Sequence, residues 1–275
     1  MTSKKRISED QVKKIYELYL EKLTIIDIAS KVNVSTTSVR HLLRSKYPDC
    51  DLHYTRRKYS VDENYFKVID TERKAYFLGL MYADGCVMLK KGSLVAKITL
   101  AAQDNSVLKI FKEEIKTNYP FFEYKRSKLN SNWKDVTEFR IGNPHFTKNL
   151  INSGCGFKKS QKLEFPSVKI LPLELRSHFI RGYFDGDGSI CINKVKNRKV
   201  VRFEGTLEFL TELQKHFVEV LNSPFTRIQK RHKDRPSNAY TLQYYGNVAN
   251  QNCKVFFDYL YKDSTVYLER KYIRF

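Results

Sequence analysis

Along residues 1–46 the apolar positions fall with helical spacing. Ser8 is a good N-cap for a helix whose apolar residues Val12, Ile15, Leu18 and Tyr19 share one face. A second helix is expected over residues 24–32, with Ile25, Ile28 and Ala29 turned inward. Asn33 and Val34 then predict a tight turn, and Ser35 caps a third helix that ends near Arg44. Across residues 47–69 no period is evident, and Pro48 with the basic run from Thr55 to Lys58 predicts a basic linker.

From residue 70 onward the chain repeats itself. The stretch FLGLMYADG from Phe77 to Gly85 matches IRGYFDGDG from Ile180 to Gly188 at an offset of 103. Farther on, Ile141, Gly142 and Asn143 match Tyr245, Gly246 and Asn247 at an offset of 104. Two landmarks that keep register argue for a duplicated unit of about a hundred residues. Each copy reads as helix, two strands, helix, two strands, helix. In the first, residues 94–100 alternate as a strand, 104–115 are helical, and 123–126 and 136–141 are strands. In the second, strands over 189–193 and 200–204, a helix over 207–221 and strands over 226–231 and 240–245 follow in the same order. The pattern predicts an α+β protein with two pseudo-symmetric αββαββα halves, residues 70–160 and 161–275. A small all-α module at 1–46 and the linker at 47–69 precede them.

Composition narrows the partner. Of 275 residues, 41% are hydrophobic, enough for a sizeable core, while 50 Lys and Arg against 30 Asp and Glu give a net charge of +20. That balance favours a polyanion, nucleic acid first, over an acidic small molecule. The basic residues do not line one long amphipathic helix and no apolar run approaches a membrane span, so a membrane role is not expected. The polar N-terminus leads to an expectation of an intracellular protein. Five scattered cysteines without a CxxC pair predict reduced packing residues, neither a disulfide framework nor a zinc site.

Each repeat opens on a helix that ends in Asp-Gly. The glycine is expected as a C′ residue in the left-handed conformation. The aspartate, Asp84 or Asp187, faces the negative end of the helix dipole, which costs from some tenths to about 1 kcal/mol. The same unfavourable choice made twice suggests a compensating cation. Ala75, Gly79 and Ala83 recur four apart on one helix, and Gly182 and Gly186 on the other, a spacing that lets two backbones approach closely. Packed in this way, Asp84 and Asp187 arrive side by side, where a divalent ion relieves their repulsion and oxygen ligands suit Mg²⁺. A calcium loop starting at Asp185 fails, because its sixth position is Ile190 and its twelfth Lys196. The six histidines show no metal-ligand spacing.

With both motifs in place, residues 70–275 resemble the LAGLIDADG family of homing endonucleases in its single-chain, two-motif form. The run from Ile28 to Ser35 followed by Val39 resembles the helix-turn-helix of resolvases and many regulators. The first resemblance implies that the motif helices form the interface between the halves. It further implies that Asp84 and Asp187 hold two or three divalent ions, Mg²⁺ above all, with the carbonyls of Ala83 and Gly186 as further ligands. It points to a basic residue near the end of each repeat: Lys162, with Lys159 as its rival, and Lys271. The family's earlier acidic motif position is Tyr82 in the first helix and Asp185 in the second, a departure at a place that is not normally a metal ligand.

The function expected is a monomeric, site-specific endonuclease that breaks both strands of duplex DNA at a long asymmetric target. A non-cleaving DNA-binding regulator and an RNA-splicing maturase on the same fold are the alternatives. In the N-terminal module Thr36, Thr37, Arg40 and Arg44 are candidates for the major groove and phosphates, against the plainer reading of a three-helix packing module. In the sheets, strand alternation turns Ala96, Ile98 and Leu100 toward the core and Lys97 and Thr99 away. The same logic puts Arg140, Arg202, Arg227, Gln229, Arg231 and Gln243 on the DNA face. Lys125, Arg126, Lys128, Lys194 and Arg198 lie on strand ends or turns.

Overall fold

The structure is a computed structural model that describes residues 7–21, 23–48, 58–90, 92–193, 198–231, 237–247 and 251–275. The chain divides into two compact units, residues 1–61 with 116–119 and residues 62–115 with 120–275.

The smaller unit holds three helices, α1 (Glu9–Leu20), α2 (Ile25–Val32) and α3 (Thr36–Lys46). Each starts at a hydroxyl cap. Ser8 accepts from the Gln11 N–H while the Gln11 side chain accepts from the Ser8 N–H, and Thr24 and Ser35 accept from the Asp27 and Ser38 N–H groups. Asn33 ends α2 in the left-handed conformation at φ 56°, which a short polar side chain tolerates. Ile15, Leu18, Ile25, Ile28, Ala29, Val32, Val39 and Leu43 make the core, so the helices and turn expected from spacing are present.

The larger unit runs α4 (Glu72–Ala83), β1 (Gly85–Lys90), β2 (Ser93–Ala101), α5 (Asn105–Glu114), β3 (Phe121–Tyr124), β4 (Val136–Ile141), α6 (Pro144–Asn152) and a short α7 (Lys159–Lys162). It continues with α8 (Arg176–Asp187), β5 (Ser189–Asn193), β6 (Arg198–Gly205), α9 (Leu207–Leu221), β7 (Gln229–Lys230), β8 (Tyr240–Asn247), α10 (Gln251–Tyr261) and a short α11 (Glu269–Tyr272). Two antiparallel sheets result, ordered β1-β2-β4-β3 and β5-β6-β8-β7. Their registers are equivalent: Cys86 pairs with Lys97 and Lys97 with Arg140 in one, Ser189 with Arg202 and Arg202 with Gln243 in the other. This is the two-half α+β architecture the repeat predicts.

Helices α4 and α8 pack against each other at backbone distance. A Cβ on Gly79 would stand 2.0 Å from the Phe179 carbonyl oxygen, and one on Gly182 would stand 2.0 Å from that of Tyr76. The small residues therefore do what their spacing suggests. Gly85 and Gly188 do not adopt the left-handed conformation expected of them; Gly188 has φ −82°. They are needed instead for room, since a Cβ would meet the Met81 and Phe184 carbonyl oxygens at 2.6 and 2.5 Å.

Several boundaries differ from the sequence expectation. Strand β3 begins and ends earlier, and residues 126–128 form a 3₁₀ turn. β7 is confined to two residues, because the Gln214 side chain donates to the Thr226 carbonyl at 2.7 Å where a strand partner was expected. Residues 62–69, read as the end of a linker, bury Tyr65, Phe66 and Ile69 within the larger unit. Thr55, Lys194 and the Arg198 side chain lie outside the described residues.

Candidate active site at the paired helix ends

The close approach of α4 and α8 brings their C-terminal residues together. Asp84 is the C-cap of α4 and Asp187 the last residue of α8. A Cβ on Gly186 would lie 2.3 Å from the Ala83 Cβ and 3.0 Å from Asp84 Oδ2, so the Asp84 carboxylate rests over the backbone just before Asp187. Burial, and then the charge of Asp187, push the Asp84 carboxyl up to about 6. Asp187 reaches solvent, yet the protein packed round the end of α8 still disfavours its charge and raises its carboxyl. Among the described residues no salt bridge within 4 Å is made by either carboxylate. Two adjacent carboxylates, raised by burial and left without an ion-pair partner, form a donor set that fits a hard divalent cation. Among the described residues there is no group of three or more His, Cys, Asp and Glu that holds a metal by itself, so further donors must be carbonyls or water.

A lysine closes each helix end. Lys159 is half-buried, and its ammonium donates to the Tyr82 and Ala83 carbonyls at the end of α4. Lys271 is 5% exposed and donates to the Gly188 carbonyl and, at 3.4 Å, to that of Phe184. Cations there complement the negative helix ends. Burial and the neighbouring Arg270 push Lys271 down to about 8, against the pull of Asp185, Asp84 and Asp187. Lys162 sits exposed on α7. Lys159, three residues earlier, is the lysine brought to the helix end, and it engages the Ala83 carbonyl that was expected to face a metal.

The site is not symmetric. A cavity of about 270 Å³ opens beside Asp187, lined among others by Ala83, Lys159, Glu204, Arg231 and Asn238. Glu204 pairs with Arg231 and adds to the upward pressure on Asp187. In the first half Arg270 pairs with buried Asp104 at 2.8 Å and its charge acts on Asp84.

On the outer faces of the sheets, the expected basic residues are present but partly engaged. Lys97 and Arg140 both pair with Glu138, Lys97 at 3.1 Å. The Tyr124 hydroxyl donates to Glu138 at 3.3 Å and receives Arg140 at 3.2 Å. Burial acts against the Glu138 charge, but hydrogen bonding from Lys97, its charge and that of Arg140 outweigh it and hold the carboxyl below the ordinary range. Lys125 lies 3.7 Å from Asp135, whereas Arg126, Lys128, Arg227 and Gln229 are exposed. Gln243 accepts from the Tyr245 hydroxyl at 2.6 Å, and Arg202 and Arg140 each keep a buried Nε without a hydrogen-bond partner. In the smaller unit Thr37 and Arg44 are exposed on α3, while Thr36 and Arg40 are half-buried beside the face that carries Val39 and Leu43.

Sequence reasoning missed Glu138, Glu204 and Arg270. The two glutamates were visible as outward positions of strands that alternate; their pairing with Lys97, Arg140 and Arg231 was not.

No family model matches the chain. It is 27% identical over 196 residues to the probable translation initiation factor IF-2 of Methanocaldococcus jannaschii. That stretch covers 70% of this chain and 15% of the relative's length. Among solved structures, the homing endonuclease I-WcaI bound to its DNA recognition sequence matches with a TM-score of 0.50 and 12% identity, over 82% of this chain and 93% of that one. The LAGLIDADG homing endonuclease I-SmaMI bound to cleaved DNA matches with a TM-score of 0.45 and 12% identity, over 75% and 87%. The chain therefore shares the two-half fold of the LAGLIDADG homing endonuclease I-WcaI.

Proposed function

We propose that the protein is a monomeric, divalent-metal-dependent endonuclease that breaks both strands of duplex DNA at a long asymmetric site. The observation that carries this reading is the pair of aspartates at the ends of two helices in backbone contact, without an ion-pair partner among the described residues. One chain supplies both halves of the site, so no second copy is needed. Asp84 and Asp187, with backbone oxygens such as that of Gly186, would hold Mg²⁺. A cation bound there supplies an activated water and stabilises charge on the phosphate and the leaving oxygen. Lys159 and Lys271 screen the charge that builds up on the phosphate in each half, and the cavity beside Asp187 shapes one of the two approaches. The outer sheet faces, with Arg202 and the flanking cations, bind the backbone and base edges. Thr37 and Arg44 on α3 add a separate contact through the helical module.

The test is to incubate purified protein with Mg²⁺ and DNA from its own genomic neighbourhood and to map breaks. Asp84→Asn and Asp187→Asn keep the side-chain volume and remove a ligand. Metal stabilisation of the transition state is worth several kcal/mol, so double-strand cleavage should fall on the order of a thousandfold while DNA binding persists. Full cleavage by either variant would remove the aspartates from the site.

A further inference from the structure

The position two residues before each aspartate is Tyr82 in α4 and Asp185 in α8, both fully buried, and neither is used in the chemistry above. They differ in kind, a phenol against a carboxylate, and the structure shows them meeting the same need with opposite polarity. The Tyr82 hydroxyl donates to the Ser153 carbonyl at 2.7 Å. It lies where a side chain on Gly154 would be, 1.8 Å from the position of a Cβ, and Gly154 has φ +96°. Next to it the Cys155 thiol donates to the Met81 carbonyl at 3.3 Å. Residues 153–155 are thus laid on the last turn of α4, and four residues later the chain delivers Lys159.

In the second half the roles of donor and acceptor are exchanged. Asp185 accepts from the Leu268 N–H at 2.7 Å, the Tyr261 hydroxyl at 2.6 Å and the Tyr76 hydroxyl at 2.8 Å. Beside it buried Arg181 donates to the Val266 and Leu260 carbonyls at 3.0 and 2.9 Å. Leu268 is the N-cap of α11, and three residues on the chain delivers Lys271. A carbonyl must be met by a donor and an N–H by an acceptor, so the segment each half presents explains why one position carries Tyr and the other Asp.

We propose that Tyr82 and Asp185 are positioning residues, each fastening to its own motif helix the segment that brings in the lysine of that half. This rests on the nuclease reading for what the lysines do, but not for where they are held. Each residue acts on one lysine, so each should affect one strand of a cleaved duplex.

The experiment has two arms on the full-length protein. In the first, lysine is labelled with ¹³C at Cε, and the Lys159 and Lys271 signals are assigned from the Lys159→Met and Lys271→Met spectra. Tyr82→Phe should move the Lys159 signal and leave that of Lys271, and Asp185→Asn should do the reverse. In the second arm, single-turnover cleavage of each strand is followed on a duplex carrying the mapped site, with Mg²⁺. Losing one neutral hydrogen bond should slow one strand about fivefold in Tyr82→Phe. Asp185→Ala should slow the other by about tenfold or more, with partial rescue in Asp185→Asn. The binding constant should stay within about twofold, since a positioning role acts in the transition state. Movement of both lysine signals by either change, of neither, or equal slowing of both strands overturns the proposal. Should the wild type cut no DNA, the nuclease reading fails, and the lysine signals still decide the tethering by themselves.

Discussion

In the first sheet Glu138 stands on β4 opposite Thr99; in the second Glu204 stands on β6 opposite Thr241. The registers make these equivalent cross-strand pairs, so the acid has changed strands between the halves while the backbone has not. The consequences differ. Glu138 is buried under Lys97 and Arg140, whereas Glu204 takes Arg231 and shares the cavity beside Asp187. Burying one acid under two cations takes up their charge; placing the other near Asp187 raises that carboxyl. A duplicated fold thus preserves packing more strictly than charge, because backbone contact tolerates no added atom and an ion pair needs only a partner within reach.

The contrast can be broken most severely where the halves are most alike. Gly79→Ala and Gly182→Ala each drive a Cβ into a carbonyl oxygen at 2.0 Å and should cost about 3 kcal/mol or more apiece, as overpacking does when neither backbone can yield. Gly92→Ala, at φ +77° in open space, should cost about 1 kcal/mol. Thermal unfolding of the three variants checks this, and a much larger loss at Gly79 than at Gly182 would show that the helix interface is not symmetric.

Next come the lysines. Lys159→Met and Lys271→Met should each lower single-turnover cleavage by about a hundredfold with little change in binding, and Lys162→Met should stay within about twofold. Loss at Lys162 in place of Lys159 would reassign the first half. The two also differ in stability. Lys271 is charged below its folded value of about 8, while the unfolded chain keeps its proton up to about 10.5. Between these values the unfolded state binds more protons, so stability rises with pH through the window 8 to 10.5. Wild-type stability in the metal-free protein should therefore climb between pH 8 and 10.5, and Lys271→Met should lack that climb. Denaturant titrations at several pH values measure it, and the same climb in the variant would overturn it.

The smallest effect expected is at the glutamates. Glu138→Gln should free Lys97 and Arg140, tighten non-specific DNA binding at low salt by about two- to tenfold, and steepen the logarithmic salt slope by up to about one unit for each phosphate gained. It should cost about 1 kcal/mol of stability. Because the Glu138 carboxyl is held below its ordinary range, that contribution is present above the unfolded value and is lost as pH falls through the folded one, so variant and wild type should converge in acid. Glu204→Gln should instead change the rate on one strand only. A salt titration beside strand-resolved cleavage separates them, and identical behaviour of the two variants would erase the difference drawn above.

Much of this molecule follows from its sequence alone. Helical spacing and caps place α1 to α3, the two offset landmarks reveal the duplication, and Ala83, Gly79, Gly182 and Gly186 mark the face on which α4 and α8 meet, because each of these is a local property of the chain. The pairing of Asp84 with Asp187 follows from the repeat. Tertiary structure alone decided which lysine reaches the end of α4, since Lys159 and Lys162 have the same composition around them and differ only in what the tethered turn at 153–155 points at. It also decided that Gly85 and Gly188 are required for room rather than for a left-handed turn, that Lys97 and Arg140 are held by Glu138, and that Asp185 is an anchor for Leu268. Lys159, Lys97 and Asp185 each meet their deciding partner on another element, and alternation or spacing tells which way a side chain points without telling what it meets there.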